Sequence, residues 1–85
     1  MNDEQLVRAL KSIGQKCFVT YYGRFDVETL RRETNYTEKS CISRTSHANR
    51  IMRAGRGPDA LQLVISSDSP RVSVETRQAA QGFLS

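Results

Sequence analysis

The chain has no tryptophan, one histidine, two prolines and two cysteines, and no apolar run long enough to span a bilayer. Each scarcity removes a class of function. Two cysteines and one histidine cannot supply the ligand spacing of a zinc site, and no pairing of His47 with Cys41 on one side of a helix gives a nucleophile and its base. Asp26, Glu28 and Glu33 lie close in sequence, yet helix capping and solvated surface account for them. Gly55-x-Gly57 is not followed by the lysine and hydroxyl residue of a phosphate-cradling loop. The expectation is a protein that is not an enzyme and carries no cofactor or metal. Met1 is followed by Asn, Asp and Glu without the apolar stretch of a secretory signal, so reduced thiols and a cytoplasmic location, away from membranes, are expected.

What is present is a moderate apolar fraction and an uneven distribution of charge. Eighty-five residues make one domain with a single modest core. The net charge of +4 divides into +1 over residues 1–37, +4 over residues 38–56 and −1 over residues 57–85. The excess therefore sits on TEKSCISRTSHANRIMRAGR, residues 37–56, which reads as one helix. At 3.6 residues per turn, Cys41, Thr45, Ala48 and Met52 fall on one side as packing residues. Lys39, Ser43, Ser46, His47 and Arg50 fall on the other, with Arg53 near them. A solvated helix face is the bland account of such a stretch; cations gathered on one element, with almost no acid among them, also suit a nucleic acid.

Leu6, Leu10, Ile13 and Cys17 recur at helical spacing, and Asp3 and Glu4 suit a first turn. This stripe predicts a helix continuing past Gly14 to about Tyr22, with Gly23 as its stop. Asp26 is the N-cap expected for a short helix packing through Val27 and Leu30. Asn35 offers a left-handed turn residue, and Thr37 can cap the basic helix. Gly57-Pro58 opens a helix with Ala60, Leu61, Val64 and Ile65 on its apolar stripe. A last helix is expected from Ser73 to Gly82, closing the core with Val74, Ala79, Phe83 and Leu84. The alternative for this end is a winged helix, with LQLVISS and RVSVET forming a C-terminal β-hairpin. The helix-favouring ETRQAAQ and Pro58-Asp59-Ala60 make an all-α bundle the preferred fold class.

Residues 27–52, a short helix, the turn Asn35-Tyr36-Thr37 and a longer helix, resemble the helix-turn-helix DNA-binding proteins. Leu30 and Cys41 stand where that family places apolar residues. Arg31 stands where it prefers a small residue, and Arg44 where it prefers an apolar one, so Thr45 and Ala48 are expected to take over the packing. The resemblance implies a single helix-turn-helix-like domain, residues 1–85, that binds double-stranded DNA as a transcription regulator. Lys39, Ser40, Ser43 and Arg44 would meet base edges, while His47, Arg50 and Arg53 would hold phosphates. One such module buries little surface, so a homodimer or a protein partner is expected, through Phe83 and Leu84 or the aromatic group Phe18, Tyr21, Tyr22. From another class comes a protein-interaction module or inhibitor that sets the same basic ridge against an acidic partner.

Overall fold

The computed structural model describes residues 1–85 as six helices with no strand. They are α1 (Asp3–Ile13), α2 (Gln15–Thr20), α3 (Val27–Glu33), α4 (Glu38–Arg53), α5 (Gly57–Ile65) and α6 (Val74–Leu84). Asn2, Asp26, Thr37 and Ser73 cap α1, α3, α4 and α6, each accepting a backbone N–H of the first turn through its side chain. Such a cap contributes about 1 kcal/mol. At α1 it is reciprocal, because the Gln5 side chain also accepts from the Asn2 backbone N–H. The hairpin alternative does not form: residues 57–65 and 74–84 are helical, joined by the loop that follows Ile65. No helix is long and apolar enough to cross a membrane.

The first apolar stripe packs as expected, with Leu6, Leu10, Ile13 and Cys17 all buried. It does so on two helices rather than one. Gly14 takes φ +91°, a conformation open to glycine at little cost, and ends α1 there. Its own N–H still reaches the Leu10 carbonyl at 2.9 Å, and its carbonyl accepts from Phe18 at 2.9 Å to begin α2. The bend turns Phe18 and Val19 into the core and brings Tyr21 and Phe25 together at a ring separation of 6.0 Å. The helix itself ends at Thr20, two residues short of the expected Tyr22, and Gly23, at φ +76°, lies in the turn that follows.

Long helix α4 packs chiefly along α1 and also against α3, while α5 pairs with α6 and α2 reaches α6. Its buried side is Cys41, Thr45, Ala48 and Ile51. Met52 is therefore not a core residue; Ile51, one position earlier, is fully buried and Met52 stays exposed. The reason lies in the neighbours: α1 covers α4 on the flank where Ile51 stands. The helix ends in a Schellman motif, with Arg56 N–H on the Ile51 carbonyl at 3.0 Å, Gly55 N–H on that of Met52 at 3.1 Å, and Gly55 at φ +71°.

Two other local expectations are corrected. No residue other than glycine has positive φ, so Asn35 is not a left-handed turn residue. Thr34 makes the turn instead: its hydroxyl donates to the Leu30 carbonyl at 2.6 Å and accepts from the Tyr36 N–H at 3.2 Å. At the C-terminal end Val72, Thr76 and Ala80 close the core, whereas Val74 is 62% exposed and Ala79, Phe83 and Leu84 are exposed too. Ser73 as N-cap puts Thr76 and Ala80, one turn apart, on the inner side of α6.

Candidate nucleic-acid interface

The solvent side of α4 is centred on Lys39, Ser43, Ser46, Arg50 and Arg53, opposite its buried stripe. Lys39 and Arg53 lie 14 residues apart, which is about 21 Å along a helix. Lys39, Arg50 and Arg53 form no ion pair with any carboxylate of the chain; the nearest acid on the helix, Glu38, is held by Arg31. Most other surface arginines near acids are neutralised locally: Arg8 by Glu4, Arg24 by Glu33, and Arg31 by Glu28 as well as Glu38. Arg24 and Arg31 are thus engaged within the chain, while Arg32 stays exposed and unpaired by acid.

Arg56 does not belong to the ridge. It follows the end of α4, and its guanidinium donates to Asp3 at 2.6 Å, to Asp59 at 2.7 Å and to the Met1 carbonyl at 2.9 Å. These contacts tie the N-terminus to the start of α5. Two of the five cations counted over residues 38–56 therefore serve the fold, Arg56 being one and Arg44 the other.

Arg44 turns inward. Its Nη1 donates to the Ile13 carbonyl, its Nε donates to the Ser40 hydroxyl at 2.9 Å, and its guanidinium carbon sits 3.8 Å from the Tyr36 ring centroid. In an unbroken helix the Ile13 carbonyl would accept from Cys17; the bend at Gly14 frees it, and Arg44 supplies the missing donor. The sequence signal lies in the helical repeat: at 100° per residue position 44 falls about 40° from the buried Ala48 and about 60° from the buried Cys41. Ser40 is engaged by the same contact and is half-buried.

His47 lies on the flank that faces α1, in a groove shared with Gln5, Arg8, Ser12 and Arg50. Its Nδ1 is buried and has no hydrogen-bond partner. Of the seven residues singled out in the sequence, Lys39, Ser43, Arg50 and Arg53 thus share the open face, and Ser40, Arg44 and His47 turn away from it.

Two residues of this face were missed. Ile42 is 52% exposed, and Asn49 is exposed beside it, two turns further along the helix. The signal was available: at 100° per residue both lie within a quarter turn of Lys39. Together the face offers three cations, two hydroxyls, one amide and one apolar side chain. An amide can pair with an adenine edge, and an aliphatic chain can touch a thymine methyl.

Compared with family models, curated proteins and solved structures, the chain matches none.

Proposed function

We propose that the protein binds double-stranded DNA through the outward face of α4, with α3, the Thr34–Thr37 connection and α4 acting as a helix-turn-helix-like unit in a regulator of transcription. One observation carries the reading: Lys39, Arg50 and Arg53 share an open helix face that no carboxylate of the chain engages. A helix presenting its side chains over about 21 Å suits a major groove about 12 Å wide. Lys39, Ile42, Ser43 and Asn49 are the candidates for base edges, and Arg50 and Arg53 for phosphates. The exposed Phe83, 51% accessible and packed at a tilt with its ring centroid 4.8 Å from that of Tyr22, is the candidate for contact with a second copy.

The test is a salt titration of binding to random-sequence duplex. The two phosphate contacts, from Arg50 and Arg53, give a slope of roughly −2 in log affinity against log salt. Absence of retention at low salt, with an acidic protein partner captured instead, rejects the DNA reading. The exposed Ile42 within the basic face is what favours that second reading, since protein interfaces combine an apolar centre with a charged rim.

A further inference from the structure

A cleft of about 340 Å³ opens where the end of α1 and the start of α2 meet α4 and the loop between α5 and α6. Four cations line it, Lys11, Lys16, Arg44 and Arg71, and no carboxylate does. None of the four is in an ion pair. The contrast with a second cleft, of about 280 Å³ beside α1 and α5, is instructive: there Arg56 faces Asp3 and Asp59, which neutralise it. The first cleft holds no counter-charge of its own, and an anion entering it relieves repulsion among four like charges.

The cleft is also built before any ligand arrives. Arg44 is fixed by the Ile13 carbonyl, the Ser40 hydroxyl and the Tyr36 ring. Those contacts occupy two of the five N–H donors of a guanidinium and leave three. The loop bearing Arg71 is held by Arg77, whose Nη2 donates to the Ser67 carbonyl at 2.5 Å, and by the Ser69 hydroxyl, which accepts from the Arg71 N–H at 3.3 Å. Burial raises the Cys17 thiol and the Tyr36 hydroxyl above their ordinary values, so both stay protonated and add no negative charge.

We propose that this cleft binds the phosphoryl group of a small phosphorylated molecule, with Arg44 as its fixed fork and Lys11, Lys16 and Arg71 neutralising the charge. A planar guanidinium with free donors matches phosphate oxygens in pairs. The volume lies at the small end of ligand pockets, enough for a phosphate and a modest substituent. A free phosphate ester and the DNA backbone carry the same phosphoryl group, and parallel titrations with pyrophosphate and with duplex separate the two sources. Of these four cations, none is among the three exposed charges of the α4 ridge, and this assignment stands or falls separately from DNA binding.

Calorimetric titration of the full chain with inorganic pyrophosphate tests it, alongside a short random duplex. Saturable binding at one site is expected, weakened roughly tenfold or more in Lys16→Gln/Arg71→Gln through loss of charge-assisted contacts. Arg50→Ala/Arg53→Ala is expected to bind pyrophosphate as the parent does. Both lysine and arginine of the first pair are exposed, so thermal melts of that variant should match the parent. Lack of saturable binding overturns the proposal, as does equal weakening by both variants, which marks general attraction of anions. Loss of duplex binding in Lys16→Gln/Arg71→Gln without any pyrophosphate site assigns the cleft to the DNA backbone and likewise overturns it.

Discussion

The Arg44 guanidinium donates to the carbonyl of Ile13, a residue 31 positions earlier, at the point where Gly14 breaks the first helical stripe. The same side chain reaches Ser40 and covers the Tyr36 ring. Arg44→Ala leaves a partly buried carbonyl without its donor and is expected to lower stability by about 1–3 kcal/mol, read from urea denaturation. Arg44→Lys keeps the charge but lacks the planar fork, so it should fall between alanine and the parent. A change within about 0.5 kcal/mol for alanine, as at ordinary surface, would show that the contact does not hold the bend.

Thr45 is buried in α4 with its hydroxyl unpartnered. Valine has nearly the same shape and carries no polar atom to desolvate. Thr45→Val is therefore expected to raise stability by about 1 kcal/mol, visible as a higher urea midpoint at unchanged slope. A decrease would mean that the hydroxyl has a partner after all.

Two helical glycines should respond in opposite directions. A Cβ on Gly57 would stand 2.6 Å from the Tyr22 hydroxyl and 2.9 Å from the Met52 sulfur, and the Tyr22 ring is hemmed by Phe18 and Phe83. Gly57→Ala should cost about 1 kcal/mol, partly recovered in combination with Tyr22→Phe. Gly82 has nothing within 4 Å of its added carbon, and Gly82→Ala in α6 should gain about 0.5 kcal/mol. Thermal melts of the three variants check both signs.

Arg50 and Arg53 are exposed and free of carboxylates. Arg50→Ala/Arg53→Ala is expected to leave stability within about 0.5 kcal/mol while reducing the salt slope of duplex binding by about 2. Sequence preference should persist in that variant and weaken instead in Asn49→Ala. Unchanged duplex retention in the double variant would make the ridge ordinary surface.

Cys17, Tyr21 and Tyr36 all ionise above their ordinary values, burial being the largest cause in each. The folded state thus favours their neutral forms. Their contribution is fully present below the unfolded-state values, which begin at 9.0 for the thiol and 10.0 for the phenols, and is lost as pH rises through the folded-state values. Stability measured by urea titration should accordingly decline above about pH 9, and Tyr36→Phe should make the decline shallower. A flat profile from pH 8 to 11 would contradict this.

The chain's local chemistry alone determined that the protein is helical, where Asp26 and Thr37 cap, and which side of α1 is buried, because caps act within one turn and apolar spacing follows the helical repeat. It also placed Lys39, Arg50 and Arg53 on one face of α4. Tertiary contacts decided the rest: that Gly14 bends the first stripe, that Ile51 rather than Met52 enters the core, that Arg44 leaves the ridge for a carbonyl 31 residues away, and that Arg56 is neutralised by Asp3 from the far end of the chain. Each depends on which distant group comes within hydrogen-bonding or packing range, and residue spacing along one helix does not encode that distance.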